Sequence, residues 1–287
     1  MRILFFIFLN LSLMYCGDFR LKALEAIPYD KNLAQIGKKL YFDTNISSRK
    51  MSCNYCHNLD IDGSGTNDSG VNKDNLINPP TVLNAAYSYL FFKDGAQRNL
   101  KEQIIRTLKE DMGVDKEWIE NNIINDNKYT HLFSSYGFKL DYDNFINSLV
   151  EFEKALVTLN APFDKYLKGD DKAISDEAKI GYALFKYYGC NTCHSGFNFG
   201  TNIKAKINTV FSPLCDILPE NVKVPTLRNI TLSAPYGYSG VFNNLEDMVK
   251  IMAVCQVGVI LEDSEVENIL AFLKSLEGQR PEILDKR

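Results

Sequence analysis

Two pentapeptides of one pattern, Cys53-Asn54-Tyr55-Cys56-His57 and Cys190-Asn191-Thr192-Cys193-His194, hold four of the chain's seven cysteines and two of its three histidines. A C-x-x-C-H run lets two thiols add across the vinyl groups of a porphyrin while the adjacent imidazole binds iron, which is c-type haem attachment. A structural zinc site would have to join thiol pairs 137 residues apart, and it would give no reason for a histidine after each pair. A redox dithiol would need one C-x-x-C in a strand-helix-strand setting. Two covalently bound haems c are therefore expected, with His57 and His194 as iron ligands. His131, the remaining histidine, sits in a helical segment and reads as an ordinary surface or core residue.

The elements that must position these motifs repeat as well. Ile36-Gly37-Lys38-Lys39-Leu40-Tyr41-Phe42 precedes the first, and Ile180-Gly181-Tyr182-Ala183-Leu184-Phe185-Lys186 precedes the second. Both read as short amphipathic helices leading into a haem. Downstream, Pro80-Thr81-Val82-Leu83-Asn84 answers Pro225-Thr226-Leu227-Arg228-Asn229, and Gly95 and Gly240 each follow the Thr by fourteen residues. Five residues later a helix begins at Leu100 or Leu245, with Asn99 or Asn244 as its N-cap. Each half then closes on a second amphipathic helix, over 146–156 and 266–273.

Strand signals are scarce. The expected fold is all-α: two cytochrome-c-like haem domains related by internal duplication, with long loops. Expected boundaries are 24–160 for the N-terminal haem domain and 161–287 for the C-terminal one. A linker is expected over 161–173, where Pro162 and Gly169-Asp170-Asp171 fall between periodic stretches. Polar stretches near 59–80 and 200–222 lack a hydrophobic period and read as functional loops.

The repeat fails at one chemically important place. Met252 stands twelve residues after Gly240, where its thioether could reach the open face of the second haem. Met248, one turn earlier, offers the same ligand, and core filling is the plainer use of either. Ligation by His and Met raises a haem's potential and fills both axial positions, which makes an electron carrier. At the same offset the first half has Thr107.

The chain opens on Arg2 and a run over 3–15 that is apolar except for Asn10 and Ser12, too short to span a bilayer and ordered like an export signal. Residues 1–15 are expected to be removed. Leu13-Met14-Tyr15-Cys16 resembles a lipobox, which makes Cys16 the expected lipidated N-terminus and that lipid the only membrane attachment; a soluble secreted chain cut nearby is the alternative. Haem attachment of this kind fits a periplasmic or cell-envelope location. A net charge of −4 and a pI near 5.5 argue against a nucleic-acid partner and suit docking of a basic electron-donor protein. In an oxidising compartment Cys215 and Cys255 read as a disulfide, with two buried thiols as the alternative.

From Ile36-Gly37-Lys38-Lys39-Leu40 to Ala271-Phe272-Leu273-Lys274-Ser275-Leu276 the chain resembles the bacterial di-haem cytochrome c peroxidases. The resemblance is carried by both haem motifs, Pro80-Thr81-Val82-Leu83-Asn84-Ala85, Val224-Pro225-Thr226-Leu227-Arg228-Asn229, Ala234-Pro235-Tyr236, and Lys250-Ile251-Met252 followed by Gln256-Val257-Gly258. It implies reduction of hydrogen peroxide to water with electrons from a small cytochrome c or a copper protein (cupredoxin). Electrons would enter at the His194/Met252 haem and be used at the His57 haem. Gln103 matches the family's distal glutamine, and Asp111 falls at its catalytic glutamate, with Glu110 as the alternative acid. A carboxylate there can take a proton from one peroxide oxygen and return it to the other. The resemblance also implies a calcium ion at Asn78, Ser233 and Pro235, and a homodimer is common in the family.

Three positions depart from the family pattern. Residues 58–80 lack the family's capping histidine, which leaves the first haem open or covered by another group such as Lys73. Lys93 replaces a tryptophan between the haems, and Tyr238 stands where many relatives have histidine. The alternative functions are a related di-haem oxidase acting on a protein or organic substrate and a non-enzymatic di-haem electron carrier.

Overall fold

The computed structural model describes residues 21–59, 78–206, 215 and 221–285. Ten α-helices carry the described residues: α1 Lys31–Phe42, α2 Cys53–Cys56, α3 Leu100–Glu110, α4 Lys116–Asn122, α5 Asn127–Ser135, α6 Tyr142–Ala155, α7 Pro162–Leu167, α8 Asp176–Tyr187, α9 Leu245–Met252 and α10 Asp263–Ser275. Among them the strands are one antiparallel pair of two residues each, β1 Lys204–Ala205 and β2 Val222–Lys223. No described helix is long and apolar enough to cross a membrane. The leader, Cys16 and Lys73 lie outside the described residues.

Two close helix crossings organise the chain. α1 starts under an Asp30 cap, whose carboxylate accepts the Leu33 N–H at 2.9 Å, and it packs its Leu33, Ile36, Leu40 face on α6. A Cβ on Gly37 would come within 1.9 Å of the Ser148 carbonyl oxygen, so only glycine permits this approach. In the second half α8 meets α10 in the same manner, and a Cβ on Gly181 would lie 1.8 Å from the Asn268 carbonyl oxygen.

The cores differ in texture. Around α1, α3, α5 and α6 the buried set is largely aliphatic, with Ile36, Leu40, Ile104, Leu108 and Leu149 beside Phe133 and Phe145. Around α7, α8 and α10 it is aromatic: Phe163, Phe185, Phe199 and Phe272 meet at centroid distances of 5.1 to 6.4 Å, mostly edge to face.

The Pro-Thr-x-x-Asn pentads end at one shared buried point. Asn84 and Asn229 both adopt the left-handed conformation, and both donate through Nδ2 to the Thr158 hydroxyl at 2.8 Å. Asn84 returns an acceptor to the Thr158 N–H, while Asn229 accepts from Gly278 N–H.

The expected linker is corrected. Its first part is α7, with Phe163 and Asp164 fully buried in the aromatic core. Pro162 occupies the first turn, where it costs no hydrogen bond, so it starts a helix here instead of breaking one. The chain ends also cross between halves. Leu24 N–H donates to Asp164, while Ile283 and Leu284 pack with Ala34, Tyr41 and Phe152, and Lys38 Nζ donates to the Ile283 carbonyl at 2.6 Å.

Candidate active site

Both motifs close the same local turn. His57 N–H reaches the Cys53 carbonyl at 3.0 Å, and His194 N–H reaches the Cys190 carbonyl at 3.0 Å. Each turn keeps its two thiols and imidazole together, and all four cysteines are half-buried thiols outside any disulfide. In the second motif His194 Nδ1 lies 3.3 Å from the Phe199 carbonyl. That contact makes Nδ1 the protonated nitrogen and leaves Nε2 as the metal-binding one. Burial pushes the imidazole down to about 4, against the pull of the Phe199 and Pro225 carbonyls, so it is held neutral as a ligand must be.

Facing His194 is a cavity of about 630 Å³, of cofactor size, lined by Cys190, Cys193, Leu227, Ile269 and both Met248 and Met252. The donor set, the neutral imidazole and the largely apolar walls fit a covalently bound haem. α9 presents the two methionines one turn apart, beginning at an Asn244 cap that accepts the Asp247 N–H at 2.7 Å. Directly after Met252 the helix widens into a π turn, Ala253–Val257, and a Cys215–Cys255 disulfide anchors that turn with Cα atoms 5.4 Å apart. The expected disulfide is therefore present. Sequence gave no sign of the π turn, which is a frequent feature of functional positions.

In the first motif Tyr41 Oη donates to the His57 carbonyl at 2.7 Å. α3 lines up Gln103, Thr107 and Asp111 at four-residue spacing, on one face and its C-cap. Gln103 Nε2 donates to Thr107 Oγ1 at 3.0 Å. Burial raises the Cys56 thiol above its ordinary value, and the Asp111 carboxyl lies near enough to add to that shift. Partial burial, and then Glu110, raise the Asp111 carboxyl above its ordinary value, while Arg49 and Arg106 oppose them. Glu110 is engaged elsewhere, its Oε2 held by Arg106 Nε at 2.9 Å on the exposed side of the helix. His131 is exposed on α5, apart from both motifs.

Glu153 escaped the sequence reading, although its helical spacing with Ile146 and Leu149 places it on the buried face of α6. It is 9% exposed, and its Oε2 has no hydrogen-bond partner among the described residues. Burial pushes its carboxyl up to about 8, and its field adds to the burial that takes the Cys53 thiol to about 12. Between 4.5 and about 8 the folded chain keeps a proton that the unfolded chain releases. Stability therefore falls as pH rises through that window, by about 1.4 kcal/mol per pH unit, and this contribution is gone above it. Glu153→Gln should flatten the slope in urea unfolding of the haem-loaded protein, by about 2 kcal/mol between about pH 6 and about pH 7.5. Equal slopes in the two proteins would disprove the assignment.

The candidate calcium residues are close together. Asn78 Nδ2 lies 2.6 Å from the Pro235 carbonyl, and the Asn78 N–H donates to the Tyr238 carbonyl at 3.0 Å. Asn78 Oδ1 is buried without a partner among the described residues, an orphan acceptor of the kind a hard cation would satisfy. Ser233 borders the same cavity, its hydroxyl donating to the Ile230 carbonyl.

The chain is similar to known proteins in sequence and in fold. The family model described as di-haem cytochrome c peroxidase matches residues 31–172. The cytochrome c551 peroxidase of Pseudomonas aeruginosa is 33% identical, over 91% of this chain and 83% of its own length. The protein of that name from Nitrosomonas europaea is 34% identical over 89% and 83%. The methylamine utilization protein MauG of Methylophilus methylotrophus is 28% identical over 88% and 84%. Among solved structures, a MauG-like protein associated with microbial copper homeostasis superposes with a TM-score of 0.72 at 17% identity, covering 93% of this chain and 96% of its own. The diheme peroxidase BthA of Burkholderia thailandensis gives 0.68 at 16%, covering 91% and 90%. With paired haem motifs, a helix-rich fold of this kind and relatives a third identical over about nine-tenths of this chain, the chain belongs to the di-haem cytochrome c peroxidase family.

Proposed function

We propose that this chain reduces hydrogen peroxide to water at the His57 motif, using electrons that a small cytochrome c or cupredoxin delivers through the His194 motif. The carrying observation is the asymmetry between equivalent helices. α9 offers Met252 to a cavity beside His194, whereas α3 offers Gln103, Thr107 and a carboxyl to the first motif. Bound haem c supplies the iron that binds peroxide and exchanges electrons. The chain's own residues supply the rest. Asp111 takes a proton from one peroxide oxygen and hands it to the other, so that the leaving group departs as water. Its raised carboxyl suits both halves of that transfer, and Gln103 orients the peroxide through its amide. Two electrons and two further protons complete the conversion to two waters.

His194 and Met252 would hold the second iron. Met252 is favoured over Met248 because the disulfide-anchored π turn fixes its position, while the Met248 sulfur lies against Gly237. A calcium ion at Asn78 and Pro235, beside Ser233, would satisfy the orphan Asn78 oxygen. We also infer that the halves, 24–160 and 161–287, arose by duplication. The paired Gly37 and Gly181 crossings and the paired left-handed Asn84 and Asn229 support this. The leader places the mature protein in the periplasm or cell envelope, anchored if Cys16 is lipidated.

The test is the EPR and optical spectrum of the fully ferric haem-loaded protein, with peroxide mixing before and after one-electron reduction. A high-spin first haem that consumes peroxide without prior reduction is expected, since 58–80 contains no histidine to cap it. A wholly low-spin protein that stays inert to peroxide after reduction would instead indicate an electron carrier.

A further inference from the structure

Two cationic side chains line the cavity beside His194. Lys93, from the first half, and Lys223, from β2, both border it, and none of its described lining residues is Asp or Glu. The two segments are tied together, with Lys223 N–H donating to the Lys93 carbonyl at 2.7 Å. Lys93 Nζ donates to the Tyr238 carbonyl and lies 4.4 Å from the centre of the Tyr238 ring. No described residue gives the Lys223 ammonium a hydrogen bond or an ion pair. Burial pushes Lys93 down to about 7, with Lys223 adding to the effect, and pushes Lys223 down to about 8. Two half-buried ammonium groups on backbone-paired segments of one cavity, with no acid among its described lining residues, suit an anion of matching charge.

The haem that Cys190 and Cys193 would bind brings that anion. Its two propionates project from the porphyrin edge opposite the thioether bonds, and Lys93 and Lys223 line the cavity that this haem would fill. We propose that Lys93 and Lys223 form a two-lysine clamp on the propionates of the second haem, and that this clamp raises the haem's reduction potential. The inference rests on the haem occupying this cavity. Each cation offsets a propionate charge that would otherwise oppose the added electron, so the ferrous form gains from the clamp. Lys93, where the family has an aromatic residue, thereby acts on electron transfer as a positioning charge.

The experiment is a reductive titration of haem-loaded Lys93→Gln, Lys223→Gln and the double variant, following the low-spin second haem by absorbance and EPR. Covalent haem is first counted by mass spectrometry. Each single change should shift the second midpoint downward and the double change further, with the low-spin signal retained. Lys93→Arg and Lys223→Arg should stay near the parent value and keep the test decisive if a Gln variant folds poorly. A double variant with both haems bound, intact ligation and an unmoved midpoint overturns the clamp. A parent chain whose second motif carries no haem overturns the site reading itself, and that failure is seen in the mass count before any potential is measured.

Discussion

Asp111→Asn is expected to lower kcat/KM for peroxide by about 10²- to 10⁴-fold, the usual range for loss of a positioned acid-base group. The amide keeps the shape of the side chain and cannot shuttle the proton. Haem content and the low-spin signal of the second haem should be unchanged, because Asp111 caps α3 on the side of the first motif and does not line the cavity beside His194. Asp111→Glu should retain much of the activity, since the added methylene only extends the reach of the same group. Glu110→Gln should change little, because Glu110 is paired with Arg106 on the exposed side of the helix. Stopped-flow peroxide consumption on the four proteins decides it. A large loss in Glu110→Gln with a near-normal Asp111→Asn would reverse the assignment.

Arg228→Met should destabilise the haem-loaded protein by about 3–5 kcal/mol in urea unfolding, the range for breaking a buried ion pair from one side. Arg228 and Asp164 are 0% and 2% exposed at their side chains, and they meet in a two-pronged contact at 2.8 and 2.9 Å. Truncating the arginine strands the Asp164 charge and leaves the Phe197 carbonyl without its 2.6 Å donor. Removing both charges, as Arg228→Met with Asp164→Leu, should recover most of the loss, because the larger penalty comes from one unpaired buried ion. A single-variant loss under about 1 kcal/mol would mean that water enters and screens the site.

Sequence alone determined what is local. The haem motifs could be read because thioether attachment requires two cysteines and a histidine within five residues, and the caps at Asn99 and Asn244 because one side chain satisfies its own helix start. The equal spacing of Gln103, Thr107 and Asp111 was visible, whereas the pairing of Cys215 with Cys255 was one of two readings until the structure brought their Cα atoms within 5.4 Å. What the sequence did not show is that Arg106, one turn earlier, holds the Glu110 carboxylate on the exposed side of the helix.

Tertiary structure alone decided the distant pairings. Pro162 looked like a break in the sequence, yet Arg228, 64 positions beyond Asp164, buries that segment as a helix. Thr158 gained its role because two asparagines from opposite halves converge on one hydroxyl. Lys223 looked like one lysine among many until its backbone was paired with Lys93 at a cavity with no acid among its described lining residues. Local propensity covers about one helical turn along the chain, whereas the cost of burying a charge depends on what the folded chain places beside it.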